Sequence, residues 1–168
     1  MAVANVSKMV VRDLSLPICS FTTCFKGFDK VETVKQILGE SAEDVLGNLK
    51  VEFTEETRYM RVSDVDGHLL VNPKYLCFGD VIDIYLDVIH ELVHVKQFID
   101  GRPLFDKSRR YVDRDTEVEA YHVAVQEART LGFSDERIYG YLRSELLNDD
   151  DLARLAKTLN VNLEASQD

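Results

Sequence analysis

The amino-acid sequence predicts an α+β domain, a small antiparallel sheet packed on one long helix, followed by a second long helix and further C-terminal helices. Two observations lead there. Segments rich in β-branched and aromatic residues crowd the region between Lys50 and Asn72, whereas from Asp80 onward apolar residues recur at helical spacing. Strands early and helices late put the helices against the sheet rather than alternating with its strands. With 168 residues, 45% of them hydrophobic, the chain can bury one core. The whole of 1–168 is therefore read as a single domain, in which residues 1–48 form an N-terminal region, 49–132 the central core and 133–168 a helical extension.

Each element has its own signal. Val10 to Leu16 reads as a strand, and Cys19 to Phe28 as an irregular, partly aromatic loop. Asp29 followed by Glu32 resembles a capping box, and Val31, Val34, Ile37 and Leu38 continue a helix that Gly39 can close. A short helix follows Ser41. Lys50 to Thr54, Arg58 to Ser63 and His68 to Asn72 read as strands, the last two joined by a turn at Asp66-Gly67. Pro73 stops strand pairing. A long helix then spans about Asp80 to Asp100, ended by Gly101 and Pro103. Another runs from Thr116 to Leu131 and closes at Gly132, after which Ser134 caps a further helical segment.

Composition narrows the function. A net charge of -10 and a pI near 4.9 disfavour a nucleic-acid backbone or an anionic membrane as partner. The stretch Lys107 to Arg114 does not change this, because its basic residues stand beside Asp106, Asp113 and Asp115. No long uncharged apolar run suggests a membrane span or an export signal, so a cytoplasmic location is expected. Three cysteines, Cys19, Cys24 and Cys77, form an odd set without paired metal spacing, and a disulfide framework is not expected.

The chemistry is concentrated in His90-Glu91-Leu92-Val93-His94. On a helix, a His-x-x-x-His spacing sets two imidazoles about 40° apart in azimuth and one turn apart along the axis, so both can grip one Zn²⁺. Glu91, about 100° from His90, stays off the metal but can take a proton from a zinc-bound water as general base. Asp83, Asp87, His90, His94 and Gln97 fall in one stripe of an otherwise apolar helix, with Asp87 a candidate to orient a histidine. The plainer alternative is an exposed polar face.

A catalytic zinc keeps three protein ligands and a water, so one ligand must come from elsewhere. On the following helix, Ala120, Tyr121, Ala124, Ala128 and Leu131 mark the apolar face, with Glu117 at its centre. Glu119 lies roughly 200° round and should face solvent, as should His122. A carboxylate aimed into a core needs a partner, which makes Glu117 the preferred third ligand and a salt bridge to Arg109 or Arg110 the alternative.

These residues resemble the gluzincin metallopeptidases over roughly Lys50 to Leu131, and the short span from His94 to Glu117 is most similar to the minigluzincins, compact members of that clan. The resemblance implies one catalytic Zn²⁺ held by His90, His94 and Glu117, hydrolysis of peptide or protein substrates, and a strand before the active-site helix that pairs with extended substrate, here His68 to Asn72. The clan's Glu-x-x-x-Asp pattern reads Glu117-Val118-Glu119-Ala120-Tyr121, so Tyr121 replaces an orienting aspartate. The resemblance also allows a latent form, with the tail after Asn148 as the inhibiting segment. Tyr121, Tyr111 and His68 are the candidate donors to a tetrahedral oxyanion. The competing expectation is a regulatory zinc protein that cleaves nothing, its fourth coordination position filled by Cys19 or Cys77.

Overall fold

The computed structural model describes residues 3–12, 14, 15 and 17–163, without the side chains of Val3 and Ala4. One hydrophobic core runs through it from Val6 to Val161. Among the described residues no helix is long and apolar enough to cross a membrane.

The N-terminal region departs from expectation. Val3–Val6 forms one helical turn (α1), and the segment read as a strand from Val10 contributes a single bridge, Val10 to Phe25. Asp13 and Leu16 of that segment lie outside the described residues. The first strand comes later, at Ile18–Ser20 (β1), overlapping the start of the stretch read as loop. It leads directly into a short helix Phe21–Cys24 (α2), and Cys19 and Cys24 are joined by a disulfide, correcting the expectation of free thiols at these two positions. Cys77 is the free cysteine. Aromatic packing explains why this region orders. Phe21, Phe25 and Phe28 are essentially buried, and Phe28 lies 5.3 Å from the Tyr85 ring of the long helix. Such pairs contribute beyond the area they bury.

Helices Glu32–Leu38 (α3) and Ala42–Asn48 (α4) match the predicted pair, and Gly39 closes the first with a φ of 63°. The capping box does not form: Asp29 sits in a preceding 3₁₀ turn, and Val31, which has no capping side chain, holds the N-cap position. The predicted strands appear as Lys50–Phe53 (β2), Met60–Val62 (β3) and Leu69–Val71 (β4). Their order is β1-β2-β4-β3, so the sheet is mixed rather than wholly antiparallel. Residues 54–59 carry the chain past the middle to the far edge, and the hairpin folds β4 back into the gap, parallel to β2. Gly67, at φ 76°, ends that hairpin with its α-carbon against the Phe98 ring.

Pro73 does more than stop a strand. It occupies the first turn of a helix Pro73–Phe78 (α5), where a missing N–H costs nothing, and the Asn72 side chain caps that turn through Lys74 and Tyr75 N–H. The long helix is Val81–Ile99 (α6), capped by the Asp80 carboxylate on the N–H groups of Ile82 and Asp83. After a loop come Asp115–Thr130 (α7), Asp135–Leu142 (α8, capped by Ser134) and Asp149–Thr158 (α9, capped by Asn148). Helix α6 is flanked by β3, α3 and α7, which is why it is buried on most of its circumference. One polar pin fixes its depth. The buried Glu127 of α7 accepts from Tyr85 of α6 at 2.7 Å and from Thr33 of α3 at 2.5 Å.

Candidate metal centre

Helix α6 supplies His90 and His94 one turn apart, and both are buried, which removes the exposed-face alternative. Helix α7 crosses beside it and delivers Glu117 from the centre of its apolar face. Glu117 does not pair with the arginines considered from sequence. Arg109 goes to Asp115 and Arg110 to Asp150 and Asp151.

The three side chains converge. His90 Nε2 and His94 Nε2 are 3.0 Å apart, and Glu117 Oε2 lies 3.3 Å from the first and 3.4 Å from the second. Two ring nitrogens cannot face each other at that distance with both lone pairs bare; a proton or a cation must stand between them. Tetrahedral zinc with bonds of about 2.0–2.1 Å separates its N and O ligands by roughly 3.3 Å. Two edges of the observed triangle have that length, and the third, between the imidazoles, is 3.0 Å. Two imidazoles and a carboxylate, all with one ligand atom within 4.8 Å of the others, thus fit a divalent metal ion.

Electrostatics tell the same story. Burial pushes His90 down, and the charge of His94 adds to that. Burial acts on His94 too, but its bond to Glu117 and the Glu91 charge outweigh it and hold the ring up at about 9. Glu117 is depressed well below the usual carboxylate range: burial opposes this, and the two histidines override it. The Glu117 carboxylate is thus held by the two imidazoles, its Oε2 aimed between them.

The ring orientations have different causes. His94 Nδ1 lies 2.8 Å from Gln97 Oε1, while Gln97 Nε2 donates to Thr116 O at 3.1 Å and to Glu119 Oε2 at 2.9 Å. Both amide hydrogens are thus committed, so the Gln97 oxygen must accept from His94 Nδ1–H, which leaves the Nε2 lone pair aimed at the centre. Glu119 is exposed, as expected, yet its carboxylate reaches back to Gln97 and is held from behind by Arg102. Sequence placed Gln97 in the polar stripe but gave no sign that Glu119 and Arg102 would lock it. Asp87 orients no histidine; it accepts from Tyr75 at 2.5 Å, and His90 Nδ1 has no hydrogen-bond partner. His90 is instead held by the Tyr121 ring, edge-on with centroids 4.3 Å apart.

Glu91 is buried, and its Oε2 has no partner. Burial pushes its carboxyl up to about 8, the His94 charge opposing and the charges of Glu117 and Asp87 reinforcing the rise. Two cavities meet at His90 and Glu91. One, of about 260 Å³, extends past Tyr121, Tyr111 and Asp87; the other, of about 160 Å³, is walled by Val62, Leu104 and Phe105. Of the candidate oxyanion donors, Tyr111 and Tyr121 line the first cavity with hydroxyls 3.2 Å apart. His68 lies elsewhere, bound to Asp66 and Glu52. Neither Cys19 nor Cys77 lines either cavity.

Two expectations about the cleft are corrected. Strand β4 is interior, flanked by β2 and β3, so it has no free edge; the edge along the cleft is β3, whose Met60 and Val62 line it. Of the tail after Asn148, α9 is not in the cleft either, since it packs on the turn Tyr111–Asp113 through Arg154 and Asp113; residues 164–168 lie outside the described residues. Instead the connection 143–147 reaches the mouth. There Leu146 borders both cavities, Arg58 pairs with Glu145 at 2.9 Å, and Tyr59 Oη accepts from Glu145 N–H.

Compared with family models, with curated proteins and with solved structures, the chain gives no match.

Proposed function

We propose that this protein is a zinc-dependent endopeptidase of the gluzincin type. The observation that carries the reading is the convergence of His90, His94 and Glu117 on one point with a buried, partly unpartnered Glu91 in the same cleft. A zinc ion held by the three would supply Lewis acidity toward water and the scissile carbonyl. Glu91 takes the proton from the attacking water and passes it to the leaving amine. Its buried, unpartnered Oε2 stands free to accept that proton. Tyr121 and Tyr111 line the cavity, where their hydroxyls donate to the developing oxyanion.

The substrate lies extended along β3. Hydrogen bonds from Ser63 N–H to His68 O and from Asn72 N–H to Tyr59 O show which backbone groups join β3 to β4. By strand alternation, those of Met60 and Val62 face away from β4; the Val62 N–H reaches the Glu91 carboxylate, and the remaining groups offer main-chain pairing to a peptide. A second reading, a zinc-binding protein without turnover, draws support from Leu146 standing at the mouth of both cavities.

Metal content and cleavage separate the readings. Purified protein is expected to carry one zinc per chain and to cut an unfolded protein substrate, with cutting abolished and zinc retained in Glu91→Gln. Zinc without Glu91-dependent cleavage would transfer the conclusion to the second reading. No zinc, or zinc that survives Glu117→Ala together with His94→Ala, would remove both.

A further inference from the structure

The larger cavity beside the metal ligands has an unusual wall: Tyr59, Tyr75, Tyr111, Tyr121 and Tyr141 surround the carboxylate of Asp87. Asp87 is partly exposed to that space. It accepts a hydrogen bond from Tyr75, and no lysine, arginine or histidine among the described residues pairs with it. Asp83, one turn away on α6, makes a useful contrast, for Arg137 neutralises it at 2.6 Å. On the same wall the buried Tyr141 hydroxyl is turned toward Asp87, so the carboxylate meets two phenols and no cation. Arg143 stands at the mouth, exposed to solvent, where its charge is screened.

An uncompensated carboxylate in a partly dehydrated pocket favours a cation strongly, and the faces of tyrosine rings attract one as well. An anionic group would be repelled. A neutral apolar group would leave the Asp87 charge uncompensated, at the cost of desolvating it further. Asp87 precedes His90 by three residues on α6, which is about 4.5 Å along the helix axis. That offset is within reach of a long side chain whose backbone lies at Glu91.

We propose that this pocket is a specificity site for a basic side chain, lysine or arginine, of the bound peptide. The cationic head rests on Asp87 with the Tyr141 hydroxyl beside it, and the methylene stem runs along the tyrosine rings. The assignment rests on the peptidase reading for its substrate class. The second cavity, walled by Val62, Leu104 and Phe105, suits an apolar residue, so a basic and an apolar residue flank the scissile bond.

Binding to the zinc-loaded Glu91→Gln protein tests the pocket without relying on turnover. Fluorescent peptides carrying either lysine or its uncharged isostere norleucine, scanned across each position, are titrated by anisotropy. At one position lysine is expected to bind about tenfold more tightly, as a charge-assisted hydrogen bond allows. That preference should vanish with added Asp87→Asn and fall several-fold with Tyr141→Phe, while norleucine peptides bind unchanged. Equal binding of lysine and norleucine peptides at all positions, or no peptide binding at all, overturns the pocket. Should Asp87→Asn fail to fold, the isostere comparison and Tyr141→Phe decide alone. Cleavage of unfolded protein by the wild type is read separately, so an unselective peptidase would refute the pocket and leave the proposed function standing.

Discussion

Replacing Glu91 by glutamine should make the metal-free protein more stable, and by an amount that depends on pH. The carboxyl is raised from 4.5 to about 8, chiefly by burial. Its folded-state value thus exceeds its unfolded one, so its contribution to stability is fully present below pH 4.5 and is lost as pH rises toward 8. Each unit between those limits costs about 1.4 kcal/mol, which gives about 3 kcal/mol at pH 7. Glutamine has nearly the same shape and never ionises, so it escapes that loss. For a chain of this size, about 3 kcal/mol corresponds to roughly 6–12 °C in melting temperature. The assay is urea denaturation of wild type and Glu91→Gln with chelator present, at pH 5 and pH 7.5. The two should be close at the lower pH and diverge at the higher. Adding zinc should narrow the gap, because a neighbouring cation favours the ionised carboxylate. A gap that is the same at both pH values would refute the claim that burial of this carboxyl costs stability, and with it the view that stability is given up at this site for reactivity.

Three further outcomes follow from the packing. Gln97→Leu removes the group that fixes His94 and should weaken zinc binding about 10- to 100-fold, measured by competition with a chromophoric chelator, with the fold retained. Tyr85→Phe leaves a buried Glu127 oxygen without its donor and should cost about 1–3 kcal/mol in urea denaturation. Gly67→Ala meets both a φ of 76° and a Phe98 ring atom 2.5 Å from the new methyl, whereas Gly132→Ala at φ 87° meets open space. The first should therefore lose clearly more than the about 1 kcal/mol expected of the second, read from thermal melts.

The long helices are legible in the sequence because their apolar residues repeat over several turns and their ends carry Asp80, Ser134, Gly101 and Gly132. Glu117 can be placed for the same reason: one angular position on α7 decides whether a side chain meets α6 or water. Sheet order is not legible. Nothing local distinguishes a strand that pairs with its predecessor from one inserted beside it, so the edge expected at β4 belongs to β3. The Cys19–Cys24 disulfide and β1 escape a reading by pattern because an aromatic cluster, not periodicity, organises the chain there. The links from Arg102 through Glu119 to Gln97 join residues on two helices and a loop, and only the folded arrangement brings them into line.

Ligands drawn from two helices have a mechanical side. A cation gripping both His94 and Glu117 would tie the ends of the intervening chain together as a covalent staple does, restricting the unfolded ensemble by about 3 kcal/mol for a loop of this order. The tied segment contains Lys107, Arg109 and Arg110, all exposed, so it is where trypsin should first nick the protein once a chelator releases the tie, and where zinc should protect it.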